Sequence, residues 1–452
     1  MTISVCDYGA KPNSDIIQTE FFQKAIDECF LKGGGKVEVP AGSYVIGEIR
    51  LRSNVTLYLK KNATLLGSLN IDDYHVLKDG EKDGLEPIPN QFFPEKKGVK
   101  TEQQNRNWHT AMILIYNAEN VSIIGEEGSV INGRNCANPN GEENYRGPHG
   151  INAIRCKNLT FKGYTVIDCG NWAHSIWICK NIALSNVSVI AGHDGTDFFG
   201  CDNITVKDCY FHSGDDCIAG FDNEHVLIEN CEMNSSCSAL RFSGTDVLIR
   251  NCHAFGPGEY IHRNSLSIEE KLAGAQPDKT HMEKYRNNML CFLLYYSDYR
   301  IPIRHSQTNF VVENCTVENC DRFIRYNYSE SAKWSCNKPM KDVTFRNVKV
   351  SGMKIPFALL NDTDGAELFS ASFIDCEFNF HEDFKNRPLI LATNFKEMEF
   401  INVSTNATGK HTVVSYGDFA GDVTVDGGSL EGTFSIDVKS LPVTNDLVGG
   451  LI

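Results

Sequence analysis

"CKNLTFKG" (Cys156 to Gly163), "CKNIALSN" (Cys179 to Asn186) and "CDNITVKD" (Cys201 to Asp208) are three versions of one phrase. "EHVLIEN" (Glu224 to Asn230) and "DVLIRN" (Asp246 to Asn251) continue it, and "NFVVEN" (Asn309 to Asn314) and "DVTFRN" (Asp342 to Asn347) are weaker copies. Leu159, Ile182, Ile204, Val226 and Val247 recur at steps of roughly 22 residues, a period that signals a solenoid. Each copy is a short strand of alternating apolar positions bounded by Asn, Asp or Gly. A repeat of this length has no room for a helix, and no leucine-rich consensus is present. The reading is an all-β chain, a right-handed parallel β-helix in which stacked coils bury one continuous core. A β-propeller, the competing all-β fold, has a period of about 40 or more.

Outside the repeat, the stretch from Thr19 to Gly34, "TEFFQKAIDECFLKGG", places Phe22, Ala25, Ile26 and Cys29 on one helical face and stops at glycine. It predicts a short N-terminal helix that caps the open end of the solenoid, where strand edges must not be left bare. One domain is expected over residues 1–452, with the cap and first coils in 1–75. Residues 254–308 interrupt the repeat; they hold a predicted helix, "SLSIEEKLAGA", and an aromatic run, "CFLLYYSDY". Such an insertion beside the groove walls off a pocket or makes a dimer contact, and the sequence gives no oligomeric state.

The net charge of −15 argues against a nucleic-acid partner, which calls for a basic face. It gives no global steering toward an acidic polysaccharide either, so such a substrate needs local cations. No run reaches the roughly 20 apolar residues of a membrane span. The start, "MTISVCDYGA", shows no basic region followed by an apolar stretch. A cytoplasmic protein is therefore expected, and its seventeen cysteines read as reduced, buried thiols acting as small hydrophobes. No cysteine pair or Cys/His cluster has zinc spacing, and no metal or cofactor is expected.

"SGDDCIA" (Ser213 to Ala219) sets two carboxylates side by side, and "HDGTDFFG" lies one repeat earlier. An adjacent acidic pair alone is weak evidence, since acidic turns are common. The surrounding residues give it a context. "DYGAKPNSD", "GGGKVEVPAGSYVIGEIRLRSNVTLYLKKNATLLGS", "GEEGSVINGR", "GNWAHSIWICKNI" and "HDGTDFFGCDNITVKDCYFHSGDDCIA" together resemble the polygalacturonase-like glycoside hydrolases of family 28. The last segment resembles that family's NTDGxD…GDDC core without a gap from Asp194 to Asp216.

The resemblance implies an inverting O-glycosidase. Asp215 takes the place of the general acid, and Asp194 and Asp216 take the places of the carboxylates that position the water. Glycoside hydrolysis needs a protonated carboxyl at the leaving oxygen and a carboxylate that activates water across the sugar ring, in inverting enzymes about 6.5–9.5 Å away. Crowded carboxylates also push up the pKa of at least one member, which keeps a proton available. Asp197 matches the second Asp of the core and suits turn capping as well as substrate binding. His193, beside Asp194, is a candidate substrate contact or a turn residue.

Two family landmarks are altered. "SCSALRFSG" stands where a GHG motif is expected, with Cys237, Ser238 and Ala239 in its place. In "DRFIRYN", matched to the RIK motif, Ile324 and Tyr326 face the core, which puts Arg325 and Asn327 on the groove face. Asn327 replaces a lysine that the resemblance associates with a uronate carboxylate. Arg241 is either a replacement cation or a surface arginine. The sequence thus predicts exo-cleavage of a pectin-derived oligosaccharide or related glycoside. The alternatives are a β-helix polysaccharide lyase or epimerase, and a non-catalytic carbohydrate-binding β-helix.

Overall fold

The computed structural model describes residues 1–74, 110–278, 280–281, 287–298, 304, 307–330, 332, 334–361, 369–408, 413–416, 420–431 and 436–439. The chain divides into two compact units, Met1–Asp215 with Tyr260–Arg286, and Asp216–Glu259 with Asn287–Ile452.

The first unit is a stack of parallel coils. One coil runs through strands His149–Ile154, Lys157–Lys162 and Thr165–Ile167. The next uses His174–Trp177, Lys180–Ser185 and Ser188–Ala191, and the third Thr196–Phe199, Asp202–Lys207 and Tyr210–Ser213. Every strand pairs in parallel with its counterpart one coil on. The repeated apolar residue stacks on itself, Leu159 against Ile182 and Ile182 against Ile204. This is the right-handed parallel β-helix expected from the period.

The asparagine of each phrase has a local reason to be there. Asn54, Asn120, Asn158, Asn181 and Asn203 all sit at φ between 57° and 64°, the left-handed region that Asn enters more readily than most residues. Each amide donates to the preceding one, as from Asn181 to Asn158 at 2.8 Å and from Asn203 to Asn181 at 3.0 Å. The cysteine before it turns inward. Cys156, Cys179 and Cys201 are buried, and their thiols donate to the carbonyl oxygens of Ile154, Trp177 and Phe199. All seventeen cysteines are free, and all but Cys6 and Cys237 are buried. Helix Thr19–Leu31 buries the four predicted residues, and the chain leaves it through Gly33 and Gly34 at positive φ.

The second unit has the same architecture. Val226 pairs with Val247, Val247 with Phe310, and Phe310 with Val343. The aromatic run begins as a strand of this stack, Met289–Leu294, held between Ser238–Arg250 and Cys320–Tyr328. The strand His253–Phe255 likewise pairs with Thr316–Glu318. The excursion is thus shorter than the 254–308 read from sequence: a break in apolar phrasing overstates a break in strand pairing. The predicted helix within it is Ile268–Leu272, with a capping box between Ser267 and Glu270.

Candidate active site

In the first unit, strands Ser188–Ala191 and Tyr210–Ser213 pair with Ala191 opposite Ser213. Carried two residues into the turns, this register sets His193 level with Asp215. Asp194 is nearly buried, while the side chain of Asp215 keeps 16% of its surface exposed.

A hydrogen-bond donor and a guanidinium charge face one oxygen of Asp215. His262 Nε2 lies 3.0 Å from Oδ2, and Arg146 Nη2 lies 3.9 Å from the same atom. Arg146 is buried, reaches Asn171 Oδ1 at 3.1 Å through Nη1, and pairs with Glu143 at 3.0 Å. Burial opposes the charge on Arg146, but Tyr145, Glu142, Glu143 and Asp215 outweigh it and hold the group protonated. His262 accepts the Asn264 amide hydrogen on Nδ1 at 2.9 Å. A ring nitrogen that accepts carries no proton, so the proton sits on Nε2 and is donated to Asp215. A proton held by this carboxyl then belongs on Oδ1.

The excursion places His262 by packing directly on the turns. The Arg263 amide donates to the Gly192 carbonyl at 3.4 Å, Arg263 Nη1 to the Ala275 carbonyl at 3.3 Å, and the Tyr260 hydroxyl to the Asp168 carboxylate. Lys271 lies 4.3 Å from the Tyr145 ring centroid and donates to Asn264 Oδ1 at 3.0 Å. This packing explains the glycines before the aspartates. A Cβ on Gly192 would lie 2.4 Å from Arg263 Cγ, and one on Gly214 would lie 2.7 Å from the Ile261 carbonyl oxygen.

His193 has no exposed surface and stacks on Tyr145 at 5.7 Å between centroids. Among the described residues neither ring nitrogen has a hydrogen-bond partner. Burial first, then the positive Arg146 and Arg263, hold its imidazole well below the usual histidine range. Of the two readings of His193, substrate contact or turn residue, the fully covered ring stacked on Tyr145 fits the turn residue. Asp197 is also buried, in a polar row with Ser175 and Asn152 of the two preceding coils.

In the second unit, Asp216 is 1% exposed and Arg241 Nη1 lies 3.5 Å from its Oδ2. The Arg241 guanidinium is 4.2 Å from the Tyr296 ring centroid and 5.4 Å from that of Trp334. The surface-arginine reading of Arg241 is therefore replaced by that of a guanidinium held between an acid and two rings. Arg241 and Arg325 lie in one row, each opposite Leu294 of the intervening strand. Ile324 and Tyr326 are buried, with Arg325 and Asn327 half-exposed between and beyond them. Glu224, His225 and Asp246 approach closely enough to hold a cation. They lie within strands Ile218–Glu229 and Ser238–Arg250, with His225 and Asp246 at the positive φ that the asparagines take in other coils, and Asp246 Oδ1 accepts from Asn309 at 2.7 Å.

Sequence reasoning missed His262, Arg146, Tyr296 and Trp334. None lies in a repeated phrase. His262 is 47 residues from Asp215, and no periodicity links them.

The stacked parallel strands of each unit define the fold as a parallel β-helix. Residues 29–237 match the model of Glycosyl hydrolases family 28. A "Probable polygalacturonase" of Vitis vinifera is 27% identical over 229 residues, 48% of this chain and 43% of the relative. An "Exo-poly-alpha-D-galacturonosidase" of Dickeya chrysanthemi is 44% identical over 72 residues, 16% of this chain and 12% of the relative. The chain spans less than half the length of these curated relatives. The structure of the family 28 exopolygalacturonase of Yersinia enterocolitica is similar with a TM-score of 0.61 and 17% identity, over 98% of this chain and 79% of that one.

Proposed function

We propose that the chain is an inverting O-glycoside hydrolase, exo-acting on a pectin-derived oligosaccharide or a related glycoside. The observation that carries this reading is Asp215 itself. It is partly exposed, and one of its oxygens pairs with His262 at 3.0 Å and lies 3.9 Å from the Arg146 guanidinium, in a segment that matches a glycosyl hydrolase family. Asp215 Oδ1 gives its proton to the glycosidic oxygen as the bond to the anomeric carbon breaks. Water adds to that carbon from the opposite face and loses its proton to the Asp194 and Asp216 carboxylates. The products are a new reducing sugar and an alcohol, with one water consumed.

The relatives' names support pectic sugars as substrates. Asn327 in the lysine place weighs against polygalacturonate, because a neutral amide cannot neutralise a carboxylate. Arg325, half-exposed beside Asn327, is a cation that suits a single acidic group. Seventeen free thiols support a reducing, intracellular setting. The test is a screen of aryl glycosides and pectic oligosaccharides with products read by mass spectrometry. Gain of one water per cleavage supports hydrolysis, and an unsaturated product absorbing in the ultraviolet supports a lyase instead.

A further inference from the structure

Resting on the hydrolase reading, we infer that His262 is a positioning residue that fixes which oxygen of Asp215 carries the proton. Its ring is clamped at both nitrogens, receiving the Asn264 amide hydrogen on Nδ1 at 2.9 Å and donating from Nε2 to Asp215 Oδ2 at 3.0 Å. The other tautomer would aim a bare Nε2 at the carboxylate and an Nδ1–H at the Asn264 amide, and a half-turn of the ring would put carbons in both places, so the clamp admits one tautomer in one orientation. With Oδ2 engaged by His262 and Arg146, the transferable proton resides on Oδ1.

The residue is built in. His262 and Arg263 are buried, and the excursion is tied down through Gly192, Ala275 and Asp168. The charged and titratable groups around Asp215 on the first unit include Arg146, Glu143, Tyr145, His193 and His262. His193 is held neutral, and Arg146 is engaged by Glu143 and Asn171 as well as Asp215. His262 donates to Oδ2 from Nε2 at 3.0 Å.

Two substitutions separate this role from a structural one. His262→Asn keeps an acceptor for the Asn264 amide and loses the reach to Asp215. His262→Gln keeps a donor at the Nε2 position. Each is assayed on an oligosaccharide with a sugar leaving group and on a dinitrophenyl glycoside, whose leaving group needs little protonation. We expect His262→Asn to lower kcat on the oligosaccharide roughly 10–100-fold, within the range of general acid catalysis. On the dinitrophenyl glycoside we expect less than about threefold, with KM nearly unchanged on both. His262→Gln should recover most of the loss. Equal losses on both substrates, or wild-type rates in His262→Asn, would overturn the inference.

Nitrogen-15 NMR of the His262 ring supplies a readout that needs no turnover. A proton on Nε2, with a signal that moves in Asp215→Asn, is expected. A proton on Nδ1, or a signal indifferent to Asp215→Asn, would overturn the pairing even in an active enzyme. A wild type that cleaves no glycoside sinks the hydrolase reading and leaves the tautomer to be decided by this spectrum.

Discussion

At Asp215 and Asp216, neighbours in the chain have different surroundings. Asp215 is partly exposed and shares one oxygen with an imidazole and a guanidinium. Asp216 is buried, with the Arg241 guanidinium at 3.5 Å. Removing one partner of a buried pair costs roughly 3–5 kcal/mol, because a charge is left without its counter-ion. Arg241→Ala is therefore expected to lower the thermal midpoint and to cut turnover of neutral and acidic glycosides alike, by about tenfold or more. Matched neutral and acidic substrates decide the point. If only the acidic substrate suffers and the melting curve is unmoved, Arg241 reads a substrate carboxylate and does not hold Asp216.

The coil is the element that made the fold legible. Leu159, Ile182 and Ile204 repeat because each lies on the one before it, and the asparagines repeat because one turn conformation recurs in every coil. The carboxylates were legible for the same reason, since Asp194 and Asp216 follow the ends of paired strands. The excursion obeys no such constraint. His262 reaches Asp215 through packing that only the folded chain creates, and residues 289–294 pair as a strand although their apolar run does not alternate. Its one sequence trace is the glycine before each acidic stretch. Gly214→Ala would push a methyl group against the Ile261 carbonyl, so the excursion must shift. We expect a stability loss of about 1–3 kcal/mol, typical of overpacking, together with a fall in turnover from the displaced His262. Denaturant unfolding and kinetics on the same sample test this; a variant with wild-type stability and rate would show that the contact relaxes freely.

Across the molecule, buried neutral histidines link stability to pH. His174 lies between the Tyr164 hydroxyl at 3.0 Å and the Thr196 hydroxyl at 3.2 Å, and burial pushes its imidazole down to about 4. A folded-state value below the unfolded one means that the unfolded chain binds the proton first. The stability is intact above pH 6.5 and is lost as pH falls from there toward about 4. At about 1.4 kcal/mol per pH unit, the loss from this residue is on the order of 3 kcal/mol. Urea midpoints across that window should fall less steeply in His174→Gln, which has nothing to protonate. An identical slope in the variant would assign the acid sensitivity to other groups.

The central claim is that Asp215 delivers a proton while water attacks the opposite face of the sugar. Proton NMR of the anomeric signals in the first minutes of turnover, before mutarotation, tests it most directly. Wild type should release product of inverted configuration, and folded Asp215→Asn should release it at least roughly 100-fold more slowly. Product of retained configuration, or an Asp215→Asn variant working at more than about a tenth of the wild-type rate, would contradict it.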